Sequence, residues 1–320
     1  MTVEELTDKA HKAYDNYVSK FAFARDAKDF RVVCSTEERA WWLKARQQYI
    51  GASDAAAILG ENPWSSPMDV YASKLGLDDV DHDVPEPAYW GLRLENILID
   101  EFQRRTNLQA FPWGELIVSK ERPWQAATID GVVDPNGILE IKCTKLAWRW
   151  DEGLPPYVYA QVQHQLSVTG FQNAHVAVLF NGNEFYQKAV PRDEEYIEFL
   201  NEKEREFWDK LRAFEPPDTD STQSCKDALA KIYPHDTGEQ IVLSPEYAEI
   251  DMRLIGLKAE LKDVQGDIRG LENKLRAAIG DATSALLTDG TVYTYKQQTR
   301  KEHVVPESEF RVLRRKGGRL

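Results

Sequence analysis

The stretch Ala127-Thr-Ile-Asp-Gly-Val-Val-Asp-Pro-Asn-Gly-Ile-Leu-Glu-Ile-Lys142 limits what this chain can fold into more than any other. Val132 and Val133 read as the end of one strand and Ile138, Leu139 and Ile141 as the start of the next, with Pro135-Asn136-Gly137 as the turn between them. A hairpin closing there sets Asp130, five residues before Pro135, beside Glu140, five residues after it. Side chains alternate faces along a strand, so Glu140 and Lys142 project together. Carboxylates at contact distance repel unless a proton or a cation lies between them. A hard divalent ion such as Mg²⁺ takes oxygen ligands of this kind. Lys142 is then placed to orient a nucleophilic water or to offset charge on a phosphate. Asp…Glu-x-Lys is the arrangement of metal-dependent phosphodiester hydrolysis, but its spacing is loose. A half-exposed hairpin with a cross-strand ion pair would use the same residues, so the surrounding segments must decide.

Three scattered cysteines, Cys34, Cys143 and Cys225, form no CxxC or Cys/His cluster. They argue against a disulfide framework, a zinc site or an iron-sulfur cluster and point to a reducing cytoplasm. The first residues show no basic-then-apolar signal pattern, and no apolar run approaches membrane-spanning length, so no membrane partner is expected. The net charge of −13 looks wrong for a DNA-handling protein, but binding depends on where positive charge sits. Acid is concentrated in Asp78-Asp-Val-Asp-His-Asp83 and in the helix from Arg192. Ile141 to Trp150, directly after the triplet, and Phe310 to Arg319 are purely basic.

Residues 1–34 read as an N-terminal helical extension and residues 35–215 as an α/β core. A helix starts near Thr36-Glu37-Glu38 with Trp41, Trp42 and Leu43 as its apolar face. Ser53 to Gly60 reads as a short helix with a serine cap and a glycine stop. Further helices are expected around Val70–Leu75, from Ala88 to about Thr106, from Pro155-Pro156 to Gly170, and from Arg192 to Phe214. Strands run from about 115 to 146, and Ala174–Phe180 and Glu184–Val190 are joined by Asn181-Gly182. Pro216-Pro217 opens a polar linker over 216–240. The remainder, 241–320, is a coiled-coil and hairpin module. Ser244-Pro245-Glu246 caps a long helix whose apolar positions, Ile250, Leu254, Leu257, Leu261, Val264, Ile268, Leu271 and Leu275, alternate spacings of four and three. That seam packs against the chain's own helices, meets its copy, or binds a partner. A hairpin turning at Asp289-Gly290 follows.

Leu92, Glu95, Ile99 and Phe102 share a helical stripe. A buried unpaired carboxylate is costly; a metal shared with Asp130 and Glu140 would satisfy Glu95, and so would snorkelling from the stripe edge. Gln161, Gln163 and Gln165 stand at alternate positions and cannot all share one face, so one of them directed at the site could hold a water or a phosphate oxygen. His164, in the same run, reads as a surface or neighbouring group rather than a ligand or base. Ser53 either caps its helix or, with Arg46, forms an anion site, since free N–H groups and a guanidinium fork both suit phosphate.

These segments together resemble the YqaJ-type viral recombinase family, which includes phage lambda exonuclease, within the PD-(D/E)XK nuclease superfamily. The likeness runs from about Glu38 to Leu211. It rests on Trp42-Leu-Lys-Ala-Arg46, Ile50-Gly-Ala-Ser-Asp-Ala-Ala-Ala-Ile-Leu-Gly60, Trp90-Gly-Leu-Arg-Leu-Glu95, Ala127-Thr-Ile-Asp-Gly131, Leu139-Glu-Ile-Lys-Cys143 and Tyr159-Ala-Gln-Val-Gln163. Ile129 stands where the family often has proline before the metal aspartate. The resemblance implies a restriction-endonuclease-like core with a mixed sheet flanked by helices. It implies a 5′→3′ exodeoxyribonuclease that resects linear duplex DNA with two Mg²⁺ ions, which Mn²⁺ could replace. Glu95, Asp130, Glu140 and the Ile141 carbonyl would bind metal. Lys142 and Gln161 would position water, and Arg46 and Ser53 would hold a DNA-end phosphate. The implied partners are double-stranded DNA ends, a single-strand annealing protein (RecT/Bet-like) and further copies of the chain in a trimeric or tetrameric ring, in a bacterial host cytoplasm. A structure-specific endonuclease or repair nuclease of the same superfamily, or a non-catalytic DNA-end-binding protein, is the alternative.

Overall fold

In the computed structural model, which describes residues 28–78, 85–134, 136–302, 307 and 309–315, the chain divides into two units between Pro234 and His235. The first unit begins with β1 (Phe30–Ser35), α1 (Arg39–Arg46), β2 (Ile50–Gly51), α2 (Ala52–Ile58), α3 (Pro67–Lys74) and α4 (Glu86–Thr106). Strands β3 (Ala110–Pro112), β4 (Glu115–Ser119), β5 (Gln125–Thr128), β6 (Gly131–Val133) and β7 (Gly137–Thr144) follow. A 3₁₀ turn (Ala147–Trp150), α5 (Pro156–Thr169), β8 (Asn173–Phe180), β9 (Glu184–Pro191), α6 (Glu194–Arg212) and α7 (Gln223–Ile232) complete it. The strands form two sheets, ordered β1-β4-β5-β2 and β3-β6-β7-β8-β9.

The β6–β7 hairpin closes as its turn residues dictate, pairing Gly131 with Leu139 and Val133 with Gly137; Pro135 itself lies outside the described residues. Gly131 is needed there, because an added Cβ would stand 2.9 Å from the Phe111 carbonyl oxygen on β3. Strand β7 then pairs in parallel with β8, which requires a crossover, and α5 supplies it. Asn181 and Gly182 both take positive φ, 51° and 77°, and turn β8 back into β9. A helix, an antiparallel meander, a crossover helix and a parallel fourth strand make up the mixed α/β core.

Helix α5 is buried on nearly every side although it carries Gln161, Gln163, His164, Gln165, Ser167 and Thr169. Val158, Val162, Leu166 and Val168 are fully buried. It packs on β4 and β5 of one sheet, on β7 and β8 of the other, and on α2. That placement carries its polar side chains into the interior.

Several expectations are corrected. Phe30–Ser35 is not helical: Phe30 and Cys34 are buried and the segment pairs with β4. Residues 1–27 lie outside the described residues. The span 216–240 is not a linker throughout, because α7 buries Cys225 and Ala228 against the core around Met68, Tyr71 and Phe207. Trp41 is exposed and Ala45 is the buried residue of α1. Leu92 is also exposed, so the α4 stripe is buried only from Leu98 onward.

The second unit holds α8 (Glu246–Ile279) and a hairpin of β10 (Ser284–Leu286) and β11 (Val292–Thr294). At 1.5 Å per residue α8 is about 51 Å long. Ser244 does not cap it; its hydroxyl bonds the Glu246 side chain instead. The seam from Ile250 to Leu271 is exposed. Arg315 meets Asp251 of α8 at 2.9 Å, while residues 316–320 of the basic tail lie outside the described residues.

Candidate active site

Alternation along β7 sends Glu140 and Lys142 to one face, and Lys142 Nζ stands 2.6 Å from Glu140 Oε1. Gln161 bridges the pair from α5. Its Nε2 donates to Glu140 Oε1 at 2.7 Å and its Oε1 accepts from Lys142 Nζ at 2.9 Å. Gln165 lies one helical turn further on, on the same face. Its Nε2 donates to Glu140 Oε2 at 2.7 Å, so both oxygens of this buried carboxylate are held. Gln165 Oε1 is buried without a hydrogen-bond partner. Gln165 had no role assigned from sequence; the spacing of four from Gln161 was the available signal.

Asp130 enters just before β6. Its Oδ2 accepts from the Ile141 main-chain N–H at 2.6 Å, fastening the hairpin. Glu95 reaches the same region half-buried from α4. Burial, and then the Glu140 charge, push its carboxyl up to about 7. Burial, and then Glu140 and Glu95, push Asp130 well above the usual carboxylate range, against the opposing pull of Lys142 and the Ile141 N–H. Burial disfavours the Lys142 ammonium, yet Glu140 and Asp130 hold its pKa above the usual lysine value. Three carboxylates thus crowd one another, and a single ammonium does not relieve them.

This electrostatic excess is what a hard cation would neutralise, and the all-oxygen donor set of Glu95, Asp130, Glu140 and the Ile141 carbonyl suits one. The side chains as they lie are not a finished cage. Among the described residues no three His, Cys, Asp or Glu groups are clustered for coordination. The reason is visible in the contacts: Lys142 and Gln161 occupy Glu140 Oε1, and Ile141 N–H occupies Asp130 Oδ2. The residues fit a hard cation by the chemistry of their donors.

Arg46 and Ser53 form a second cluster. Arg46 Nη2 lies 3.1 Å from Ser53 Oγ, and the guanidinium stacks 4.9 Å from the Trp42 ring. Ser53 is not the cap of α2. Gly51 holds that position, and Asp54 Oδ2 accepts from the Gly51 N–H at 2.8 Å, which leaves the Ser53 hydroxyl to Arg46. Lys74 neutralises Asp54 at 2.6 Å.

His164 is not at the surface. It is fully buried, with Nδ1 2.7 Å from Glu204 Oε1 and Nε2 2.9 Å from the Ala126 carbonyl. Gln125 Nε2 reaches the other Glu204 oxygen at 2.5 Å. Gln163 also turns away from the site and ties Pro191 to Asp193. Of the three alternate glutamines, only Gln161 faces Lys142.

The YqaJ-like viral recombinase domain matches residues 41–172, a span that holds both clusters. The chain is 32% identical over 257 residues to the protein YqaJ of Bacillus subtilis (strain 168), covering 78% of this chain and 80% of that protein. Among solved structures it is similar to an alkaline exonuclease (LHK-Exo) from Laribacter hongkongensis, 21% identical with a TM-score of 0.46 over 54% of this chain and 93% of that one. It is also similar to a phage related exonuclease from Haemophilus somnus 129PT, 12% identical with a TM-score of 0.41 over 54% of this chain and 98% of that one. With four-fifths of YqaJ spanned at 32% identity, the chain belongs to the family of the YqaJ-like viral recombinase domain.

Proposed function

We infer that this chain is a divalent-metal-dependent exodeoxyribonuclease that shortens linear duplex DNA from its 5′ ends. The observation that carries the reading is the joining of Glu140, Lys142 and Gln161 into one hydrogen-bonded unit beside Asp130. Glu95, Asp130, Glu140 and the Ile141 carbonyl would hold Mg²⁺, or Mn²⁺ in its place. When bound, such ions lower the pKa of a coordinated water and offset charge on the scissile phosphate.

The chain's own groups do the rest. Lys142 keeps its proton and presents a positive charge from a position fixed by Glu140 and Gln161. Its Nζ would hold the attacking water or a phosphate oxygen. Gln161 fixes the direction of both neighbours. Gln165 keeps Glu140 from rotating away from the hairpin. Arg46 and Ser53 offer a forked donor and a hydroxyl to a terminal phosphate. The proposed setting is recombination, with a single-strand annealing protein as partner and several copies of the chain enclosing the product strand.

The test is incubation of the full chain with linear duplexes and covalently closed circles, with Mg²⁺, with Mn²⁺ and with chelator. Shortening of linear DNA only, abolished by chelator, is expected. Linearisation of closed circles would transfer the site to a structure-specific endonuclease, and binding without cleavage would transfer it to an end-binding protein.

A further inference from the structure

Seven residues after Lys142, Arg149 lies between two indole rings, with its guanidinium carbon 4.8 Å from the Trp148 ring and 5.3 Å from the Trp64 ring. Trp64 comes from the loop between α2 and α3, and its ring meets Tyr157 edge-on at 5.2 Å. Tyr157 precedes Gln161 by one turn of α5, so the aromatic group continues the helix face that reaches Lys142. The assembly is held firmly, because the neighbouring Trp150 is buried against Phe180 and Tyr186. Yet Trp64 and Trp148 remain 56% and 64% exposed. Arg149 is in no ion pair among the described residues, and its Nε is buried without a hydrogen-bond partner.

Two exposed indoles around an unneutralised guanidinium are an unusual surface for an acidic protein. Stacking on an aromatic face suits any base, and the guanidinium fork suits a phosphate between bases. Glu140 is only 3% exposed, and a strand that unpairs to enter so recessed a site incurs the cost of unpairing and unstacking. A stacking surface at the mouth of the site would offset that cost. We propose that Trp64, Arg149 and Trp148 form a platform that receives the unpaired nucleotides of the DNA strand entering the site, bases on the indoles and phosphate on Arg149. The inference rests on the nuclease reading of the adjoining site.

The experiment uses the full chain in chelator, so that DNA stays intact, and duplexes carrying 2-aminopurine in an unpaired 5′ tail. Trp64→Ala and Trp148→Ala are each compared with the Phe variants. Wild type should change the 2-aminopurine emission on binding. Each Ala variant should weaken binding of tailed duplex about tenfold, and Phe should restore most of it. Duplexes closed by hairpins at both ends should bind all variants alike. Ala variants that bind tailed DNA as wild type does would overturn the platform, even if the wild type cleaves DNA when Mg²⁺ is added. Tail-dependent binding lost in the Ala variants, with no cleavage by wild type in Mg²⁺ or Mn²⁺, would uphold the platform and overturn the nuclease reading. A wild type that binds no DNA overturns both.

Discussion

Asp130 accepts a hydrogen bond from the Ile141 main-chain N–H at 2.6 Å, although burial and its carboxylate neighbours disfavour its charge. Asp130 is thereby a strut of the hairpin as well as a candidate ligand. Asp130→Asn keeps an acceptor for Ile141 but removes a negative charge from the crowded centre. Cleavage should fall at least about 100-fold. In metal-free buffer the same variant should melt higher, by about 2–4 °C for each kcal/mol of repulsion relieved. Scanning calorimetry and a nuclease assay on one preparation check both halves; near-normal cleavage would remove Asp130 from the reaction.

Gln165 tests the support behind the carboxylate. Gln165→Leu leaves Glu140 Oε2 without its donor inside the core. Partners one layer out from a metal site are worth about 10- to 100-fold in affinity or activity. The expected result is a loss of that size with a raised metal requirement, read by titrating Mg²⁺ in the cleavage assay. A rate and metal midpoint equal to wild type would confine Gln165 to packing.

Arg46→Ala should narrow the preference for 5′-phosphorylated over 5′-hydroxyl ends, since it removes the fork that Ser53 now positions. Competition between the two ends in one tube measures this. An undiminished preference places the end phosphate elsewhere.

His164 and Glu204 give the core a pH dependence. Burial disfavours the imidazolium, but Glu204 and the Ala126 carbonyl outweigh it and raise the His164 pKa above 6.5. A raised histidine value stabilises the fold fully below about 6.5 and loses that contribution as pH rises through the folded value. Stability to urea should therefore decline from pH 6 towards alkaline pH, and Glu204→Gln should flatten the decline while costing about 3–5 kcal/mol. A variant with the wild-type pH slope would contradict this pairing.

The boundary between units sets a fifth test. A chain ending at Pro234 keeps α7 on the core and should remain soluble and folded. One ending at Asp220 strips the helix that buries Cys225 and Ala228 and should melt well below it. Equal melting temperatures would show that α7 adds nothing.

The hairpin, α5 and the β8–β9 pair were legible because their signals are local: a turn with Asn and Gly, a proline start and a glycine stop, a period of two. The meeting of Glu140 with Lys142 followed from the same period. What stayed hidden depends on tertiary partners. β1 is a short strand whose pairing with β4 no local pattern announces. Ser53 precedes an acid and an alanine run, as a cap would, but Asp54 reaches back to Gly51 first. His164 could be placed only once α6 was known to bring Glu204 beside it. The exposed seam of α8 was legible as a seam, and its occupant was not.

Asp130 and Glu140 meet across one tight turn, whereas Gln161 and Gln165 reach Glu140 from 21 and 25 residues further along the chain. Synthesis at about 5–20 residues per second separates these arrivals by roughly one to five seconds. During that interval the growing polypeptide steadies its two acids with only the Ile141 N–H and the Lys142 ammonium, without the glutamine amides that later hold Glu140. Ribosome-stalled chains long enough for Thr144, but not Gln161, to have left the exit tunnel should accordingly fold their hairpin later than a neutral Asp130→Asn chain does, and added divalent ion should close the gap. Equal folding onsets in a force-profile measurement would show that the nascent hairpin tolerates its charge unaided.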